Sequence, residues 1–345
     1  MTIVRSIDLG YGYVKYTTRN PNGDNPSVVT RHLPALALPV FSTFAATEGS
    51  GLKQPQTVAV NVKEALYQVG PETPLLLTGQ SGRHLDGDYS RSDQYVALML
   101  GTLAYMGEQF IDVLILGLPI STYPKEKERL TNLFRGTVNV PMIGEADRTR
   151  RLEIRHVVVL PQPVGGYLDA RASVAFADGG RGSTLVIDPG FYTFDWVVMS
   201  ENSTYIANRS GAIHGGMSAI LRMVADKLEE NLGKQIIDLF PIDAALKSGE
   251  PLVLYGKPIH LDELRPNIEA RCKTNVMEMI GRLGNSADLR RVVLCGGGAR
   301  LFRKGVTEAL PTWDIHLSKD PMFANVRGFQ GFGEEYANRI AAIAV

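Results

Sequence analysis

Asp8-Leu9-Gly10-Tyr11-Gly12-Tyr13-Val14-Lys15 is the stretch of sequence that decides the fold. It closes an apolar, strand-like segment, Thr2–Leu9, and leads into a second one, Tyr13–Thr18. Two strands joined by a tight glycine turn predict a β-hairpin. In Rossmann and P-loop sites the glycine turn opens a helix instead. The stretch therefore indicates a hairpin with a carboxylate at the end of its first strand and a lysine on its second.

The second half of the chain repeats this arrangement as Asp188-Pro189-Gly190-Phe191-Tyr192-Thr193-Phe194-Asp195. Ser183–Ile187 is an apolar strand before the turn, and Phe194–Met199 is a return strand after it. A single turn of this kind also fits an ordinary hairpin with a capping aspartate. Two of them, one in each half, indicate two similar lobes that face one cleft. Because strands alternate with helices in both halves, we expect two α/β lobes.

The first turn has the composition of a phosphate-binding site. Gly10 and Gly12 allow a tight turn with outward N–H groups, and without a Cβ they let phosphates come close. Asp8 repels phosphate but can hold a water on a Mg²⁺ ion that bridges phosphates. Lys15 supplies a cation that can reach a phosphate oxygen.

The second turn offers a different set of groups. Thr193 supplies a hydroxyl for phosphate, and Asp195 adds a second carboxylate in register with it along the strand. Between the turns, Pro161-Gln162-Pro163 marks a strand-to-helix crossing. A glutamine there can orient an attacking water, as phosphoryl transfer to water requires, although a plain polar residue between prolines is the alternative. A small-molecule kinase would need a base for its substrate hydroxyl, which a glutamine cannot be, and Asp169, seven residues further on, is the remaining candidate.

Two further glycine segments precede predicted helices. Gly296-Gly297-Gly298 follows the strand Arg291–Cys295, where bare backbone can pack against an adenine or accept a phosphate. Gly211–Gly216 has similar features, and a plain flexible turn is the alternative for both segments. His214 in the second segment is typical of a loop histidine, since no serine or cysteine nucleophile pattern accompanies it.

Bulk composition limits the possible partners and compartment. The chain has 345 residues, which suggests two domains, and its 36 Lys and Arg residues balance 36 Asp and Glu residues. A neutral chain gives no bulk electrostatic reason to bind nucleic acid directly, and its charge permits self-association. Two cysteines without a framework favour a reducing, cytoplasmic compartment. We expect no signal peptide, no membrane span and no membrane partner, because the first residues lack a basic region followed by a long apolar one and no apolar run is long enough to cross a bilayer.

Five segments, taken in their order, resemble the motifs of the actin, sugar-kinase and chaperone ATPase superfamily. They are similar to its first phosphate loop, first connector, second phosphate loop, adenosine loop and second connector: Asp8–Lys15, Pro161–Tyr167, Asp188–Asp195, Gly296–Gly298 and a turn at Ala324–Gly328. The wording of the second and third segments is similar to the plasmid-segregation actins of the ParM/StbA group, and within it to PRTRC system protein D.

The resemblance implies a two-domain α/β fold of the actin-like, ribonuclease H-like type, with a nucleotide cleft between the lobes. Domain I would comprise residues 1–165 and 326–345, with a small subdomain at about 30–92, and domain II would comprise residues 166–325. The cofactors would be ATP and Mg²⁺. Asp8 and Asp188 would hold the metal through water, and Gln162 and Asp188 would be catalytic. The nucleotide contacts would come from Asp8, Gly10, Tyr11, Gly12, Tyr13, Lys15, Gly190, Phe191, Tyr192, Thr193, Asp195, Gly215, Gly216, Gly296, Gly297 and Gly298.

The resemblance also implies an ATPase that polymerises into filaments, with a ParR-like adaptor protein that links filament ends to plasmid DNA. Phe191 and Tyr192 depart from the pattern, since such second phosphate loops often carry small or polar residues. Two alternatives stay open at this point: a non-hydrolysing, nucleotide-gated scaffold, and a small-molecule kinase of the same fold.

Overall fold

A computed structural model of the chain describes residues 2–20, 27–40, 53–77, 87–145, 148–173, 176, 181–236, 238–284 and 286–343. It divides into two compact units. Unit 1 comprises Met1–Thr78, Gly82–Asp169 and Asn325–Val345, and unit 2 consists mainly of Ala170–Ala324.

The described residues contain sixteen strands and eight α-helices. The strands are β1 (Val4–Leu9), β2 (Tyr13–Arg19), β3 (Val28–Pro34), β4 (Leu38–Pro39), β5 (Val58–Val62), β6 (Ala65–Val69), β7 (Phe110–Leu118), β8 (Gly136–Pro141), β9 (Thr149–Pro161), β10 (Ser183–Pro189), β11 (Phe194–Met199), β12 (Gly211–Ile213), β13 (Leu252–Leu254), β14 (Lys257–Ile259), β15 (Leu289–Leu294) and β16 (Asp314–Leu317). The helices are α1 (Asp93–Met106), α2 (Tyr123–Phe134), α3 (Gln162–Arg171), α4 (Met217–Leu232), α5 (Phe240–Ser248), α6 (Arg265–Leu283), α7 (Ala299–Ala309) and α8 (Ala324–Ile343). None of these helices is both long enough and apolar enough to cross a membrane.

The main sheet of unit 1 has the strand order β3-β2-β1-β7-β9-β8. The hairpin neighbours β1 and β2 are antiparallel, whereas β1, β7 and β9 run parallel. Parallel strands in the middle of a sheet are covered on both faces, which explains why β1 and most of β7 are buried. A separate three-stranded sheet, β4-β6-β5, precedes α1.

The sheet of unit 2 has the strand order β12-β11-β10-β15-β16, which corresponds to the first five strands of the unit 1 sheet. Again two antiparallel pairs are followed by two parallel ones. Leu185 and Ile187 of the central strand β10 belong to a core that α4, α6 and α7 complete with residues such as Ile220, Val276 and Phe302. The repeat of the sequence is therefore a repeat of sheet topology.

Helices α3 and α8 cross in unit 1 with their backbones in contact. A Cβ placed on Gly328 would lie 1.9 Å from the carbonyl oxygen of Gly165. A Cβ on Gly165 would lie 2.4 Å from the carbonyl oxygen of Asn325. Both positions therefore require glycine, because any side chain would push the helices apart. This crossing places the first residue of α3, Gln162, at the end of β1.

A buried polar network ties α8 to the strands of the first hairpin. The Ser6 hydroxyl donates to the carbonyl oxygen of Val326 at 2.9 Å, and the Thr17 hydroxyl donates to Gln330 Oε1 at 2.8 Å. Gln330 Nε2 in turn donates to the carbonyl oxygen of Val4 at 3.2 Å. Buried polar groups are expensive unless they are paired, so this network specifies where α8 lies on the sheet.

Two local expectations from the sequence were wrong. The segment Ala324–Gly328 is the start of α8 rather than a turn. Pro74–Thr78 reads as a strand, but Thr73–Leu76 forms a 3₁₀ helix with the proline in its first turn, where proline's missing N–H is tolerated. The proline, asparagine and glycine residues of Asn20–Asn25 predict a loop. Beyond Asn20 this segment lies outside the described residues, as does Thr78.

Candidate functional site

The first hairpin brings Lys15 over the glycine turn. Asp8 and Lys15 are cross-strand partners, and Gly10 N donates to the carbonyl oxygen of Tyr13 at 3.2 Å. Lys15 Nζ lies 3.1 Å from Asp8 Oδ2, and a Cβ on Gly10 would lie 3.2 Å from the same Nζ. The bare turn thus leaves room for the ammonium group beside it. The ammonium group of Lys15 therefore balances the charge of the buried Asp8 carboxylate.

Gln162 holds the other oxygen of Asp8. Its Nε2 donates to Asp8 Oδ1 at 2.7 Å and to the carbonyl oxygen of Leu9 at 3.1 Å. The strand β9 ends at Pro161 and α3 begins at Gln162, so the side chain starts from a well-defined backbone position. With the amide nitrogen directed at Asp8 and Leu9, the oxygen Oε1 is the atom that can accept a hydrogen bond from water.

Three further residues of the first turn interact with neighbouring protein. The Tyr11 ring is buried and stacks on Tyr89 with 4.8 Å between centroids. The Tyr13 ring contacts His32 edge-on at 5.4 Å. The carbonyl oxygen of Gly12 accepts a hydrogen bond from Ala35 N at 3.0 Å. Because the Tyr11 ring is buried, a contact between Tyr11 and a nucleotide would have to come from its backbone.

The second hairpin has the same backbone geometry but a different charge pattern. Gly190 N donates to the carbonyl oxygen of Thr193 at 2.9 Å, as Gly10 does to Tyr13. Asp188 lies opposite Asp195 in the antiparallel pair, where the first hairpin has Asp8 opposite Lys15. The second hairpin thus has two aspartates at the positions where the first hairpin has an aspartate and a lysine.

The aspartate pair is suited to a divalent cation. Asp188 is 6% exposed and Asp195 is 4% exposed, and the Thr193 hydroxyl donates to Asp195 Oδ2. Residues directly opposite in an antiparallel pair have Cβ atoms about 4.5–5.5 Å apart, and like charges there are destabilising. Carboxylate oxygens are the ligands that Mg²⁺ and its bound waters prefer. A cation near this pair would remove the repulsion, so the residues present fit the expected Mg²⁺.

The N-terminus of α4 fixes the direction of the second turn. Met217 N donates to the carbonyl oxygen of Gly190 at 3.0 Å, Ser218 N donates to that of Phe191 at 2.7 Å, and Gly216 N donates to that of Tyr192 at 3.1 Å. In a trans peptide the carbonyl and the following N–H point in opposite directions. The N–H groups of residues 191–193 are therefore directed away from α4. Successive N–H groups with a common direction form an anion-binding arrangement, which is independent of how bulky the side chains are.

The glycine loop 296–298 packs directly against the second turn. Gly296 has a φ of 85°, and a Cβ on it would lie 2.0 Å from Asp188 Oδ1. Gly298 N donates to the carbonyl oxygen of Pro189 at 2.9 Å. A Cβ on Gly297 would meet nothing within 4 Å. Gly296 and Gly298 thus permit the close approach to the turn, and Gly297 is the glycine with open space beside it.

The carboxylate of Asp169 is paired with the guanidinium group of Arg327. Arg327 Nε lies 2.8 Å from Asp169 Oδ1, and Arg327 Nη2 lies 2.7 Å from Oδ2. A bidentate pair of this kind fixes both carboxylate oxygens. The arrangement joins α3 to α8 and disfavours Asp169 as the base of a kinase.

Asn275 is a residue that the sequence motifs do not identify. It lies on α6, is 3% exposed, and its Nδ2 donates to the carbonyl oxygen of Gly215 at 2.5 Å. In the sequence, Asn275 stands out as a polar residue at an apolar position of a helical pattern. Its role could not be inferred from that, because its partner, Gly215, is known only from the structure.

Two family models match the chain. The model for the N-terminal domain of actin-like proteins matches residues 6–165, and the C-terminal model of the archaeal MreB-like actin homologues matches residues 186–308. No protein of curated function matches the chain in sequence.

Several solved structures share the fold. The archaeal actin homologue Ta0583 in complex with ADP is 17% identical with a TM-score of 0.74, covering 97% of this chain and 100% of that one. The 15-stranded ParM filament from Clostridium botulinum is 19% identical with a TM-score of 0.72, and the coverage is again 97% and 100%. The actin-like protein Alp7A is 13% identical with a TM-score of 0.75, covering 100% of this chain and 99% of that one.

The duplicated sheet topology and the two equivalent hairpins agree with these matches, one model for each half of the chain. The chain belongs to the actin-like proteins, and it has their two-domain α/β fold.

Proposed function

We propose that this protein is an ATPase that binds ATP with Mg²⁺, hydrolyses it and polymerises into filaments. The observation that carries the proposal is the contact between Gln162 and Asp8, which joins the expected hydrolytic residue to the first turn. Nothing in an ordinary structural hairpin requires a buried glutamine to fix a buried aspartate that already has a lysine partner.

Nucleotide binding is supported by hydrogen-bond donors at both turns. In unit 2 the N–H groups of residues 191–193 are directed away from α4, and in unit 1 the ammonium group of Lys15 lies beside Gly10. We propose that each turn contacts phosphate groups of the nucleotide and that Gly297 contacts adenosine. The complex of the fold relative Ta0583 with ADP supports a nucleotide of this class.

In unit 2, Asp188 and Asp195 would hold Mg²⁺ through its waters, and in unit 1 Asp8 is proposed as a ligand of metal-bound water. The ion would supply positive charge that stabilises the phosphates during transfer. The protein's own contribution is to keep Asp188 in place, since Gly296 lies against its carboxylate and fixes where that group points.

Hydrolysis is assigned to Gln162. Its amide nitrogen is held by Asp8 and Leu9, so Oε1 has a defined direction before any substrate arrives. An oriented amide oxygen can accept a hydrogen bond from a water molecule and align that water for attack on the terminal phosphate. Glutamine cannot take up the proton, so we expect slow turnover in comparison with enzymes that use a base.

Polymerisation is supported by the fold and by the absence of net charge. The ParM relative from Clostridium botulinum forms a 15-stranded filament. We further propose a cytoplasmic role in plasmid segregation, in which a ParR-like adaptor binds the filament and the plasmid DNA. The adaptor would make the DNA contact, because this neutral chain has no bulk excess of cationic residues for phosphates.

Light scattering after addition of ATP and Mg²⁺, recorded together with phosphate release, tests the proposal. We expect scattering to rise and then to decay as phosphate appears, whereas ATP with EDTA should give neither signal. ATP consumption only in the presence of an added sugar or acid would indicate a kinase instead. Binding and scattering without phosphate release would indicate a non-hydrolysing scaffold.

A further inference from the structure

Asn275 is an amide on an otherwise apolar face of α6. The buried residues of this helix include Cys272, Val276 and Met279, and Asn275 lies among them with 3% exposure. A buried amide is destabilising unless it is hydrogen-bonded. Its Nδ2 donates to the carbonyl oxygen of Gly215 at 2.5 Å, so the position is explained by this one partner.

Gly215 fits tightly against that amide. A Cβ on Gly215 would have as its three nearest neighbours the Nδ2, Cγ and Oδ1 atoms of Asn275, at 2.7, 2.9 and 3.0 Å. The side chain of Asn275 and the missing side chain of Gly215 are therefore complementary. The Asn275 amide thus limits how closely α6 and the backbone of Gly215 can approach each other.

Residues His214–Ser218, here called the backing segment, support the second turn from behind. Besides the three hydrogen bonds from its N–H groups to the turn, a Cβ on Gly216 would lie 2.6 Å from the carbonyl oxygen of Phe191. The His214 ring lies 5.0 Å from the Tyr192 ring. The position of the backing segment thus determines the direction of the turn's own N–H groups.

We propose that Asn275 is a positioning residue for the nucleotide site. By holding Gly215 it sets the backing segment, and the backing segment sets the N–H groups of residues 191–193. The inference rests on the proposed function, because it assigns Asn275 a role in binding the phosphates of the nucleotide. It also gives the Gly211–Gly216 segment a role, namely support of the second turn.

Asn275→Ala tests the proposal by removing the hydrogen bond. Isothermal titration with the non-hydrolysable analogue AMPPNP and Mg²⁺ separates the dissociation constant from the number of binding-competent molecules. We expect the dissociation constant to rise about tenfold, the effect of one lost buried hydrogen bond of about 1.4 kcal/mol. A purely structural role would lower the binding-competent fraction and leave the dissociation constant unchanged. Asn267→Ala, at an exposed position of the same helix, is the matched control.

A double variant sharpens the test. Gly215→Ala places a methyl group against the amide of Asn275, and Asn275→Ala removes the atoms it would meet. If the two residues act through one contact, each single variant raises the dissociation constant about tenfold and the double variant does so by about the same factor. Independent effects would multiply to about a hundredfold.

The outcomes separate the inference from the proposed function. A wild-type chain that does not bind AMPPNP with Mg²⁺ contradicts the proposed function. A wild-type chain that binds it, together with an Asn275→Ala variant of unchanged dissociation constant, overturns only the role of Asn275. If Asn275→Ala is recovered unfolded, Gly215→Ala decides, since it disturbs the same contact and leaves the amide in place.

Discussion

The side-chain amide of Gln162 donates to Asp8 Oδ1 over 2.7 Å, while Lys15 holds the other oxygen of the same carboxylate at 3.1 Å. A glutamine and a lysine thus share one buried aspartate at the end of β1. Removing the glutamine leaves the ion pair intact, so its effect on chemistry can be separated from its effect on the fold.

Gln162→Ala should keep nucleotide binding within about threefold and slow phosphate release at least about tenfold, because the attacking water loses a group that positions it. The variant loses Oε1 as the acceptor that orients water but keeps both glycine turns. Gln109→Ala, at an exposed position, is the control. An unchanged rate of phosphate release from Gln162→Ala would refute the role of this residue.

Asp188→Asn should abolish turnover and remove the response of thermal stability to Mg²⁺. The wild-type chain has two buried aspartates directly opposite each other, so a divalent cation relieves a repulsion that the variant lacks. Melting curves with ATP and Mg²⁺, and with ATP and EDTA, measure the difference. We expect the wild-type melting temperature to rise with Mg²⁺ and that of the variant to stay nearly constant. An equal rise in both proteins would count against Asp188 as a metal-water ligand.

Gly296→Ala and Gly297→Ala form a matched pair of neighbours. The first variant forces a methyl group onto Asp188 and an L-residue into a φ of 85°, whereas the second adds a methyl group where nothing lies within 4 Å. We expect Gly296→Ala to lower the free energy of unfolding by about 1–3 kcal/mol and to weaken nucleotide binding. Gly297→Ala should leave the free energy of unfolding within about 0.5 kcal/mol. Denaturant titration of both variants checks this, and equal losses would show that the loop is placed differently.

Asp169→Asn separates an ATPase from a kinase with a catalytic aspartate. The variant weakens the bidentate pair with Arg327, so we expect a loss of about 1–2 kcal/mol in the free energy of unfolding. ATP hydrolysis by the folded protein should stay within about threefold, whereas removing a general base typically costs about 100-fold or more. A loss of that size in the folded variant would revive the kinase hypothesis.

Burial, with the nearby Glu269 carboxylate, raises the pKa of Cys272 to about 12. A thiol whose folded pKa is raised contributes stability that is complete below its unfolded pKa of about 8.5, and that stability falls as pH rises through the folded pKa. We therefore expect the free energy of unfolding to decrease from about pH 8.5 toward pH 12, and the decrease to be smaller in Cys272→Ala. A thiol reagent at pH 8 should label neither this cysteine nor the buried Cys295 until denaturant is added. Rapid labelling of the native protein would contradict the burial.

Much of the fold follows from local patterns in the sequence. The sequence predicts a return strand over Phe194–Met199 and a charged amphipathic helix over Tyr123–Phe134, and both elements have these limits in the structure. The hairpin β13–β14 and the helix α5 were missed, because they are short and their positions depend on contacts with the rest of unit 2. The expected limits of domains I and II stay a prediction, which separate expression of residues 166–325 would test.

The candidate site could be predicted less completely. Spacing placed Asp8 and Lys15 in one hairpin, because strand pairing is local. It could not show that Gln162, 154 residues away from Asp8, would bond to it, or that Asn275 would hold Gly215. Such pairs depend on how whole elements pack, and a single sequence carries no record of that.

The network between α8 and the first hairpin has a consequence for how the protein is made. The Ser6 hydroxyl finds its acceptor, Val326, 320 residues further along the chain. A ribosome that adds 5–20 residues per second needs roughly 15–60 s to reach that point. Until then the sheet that carries Asp8 lacks the helix that covers its apolar face around Val113 and Ile115 and that pairs the buried polar groups of Ser6 and Thr17. We therefore expect a nascent chain to depend on a chaperone until α8 has emerged, and a stop codon before residue 324 to yield aggregated protein.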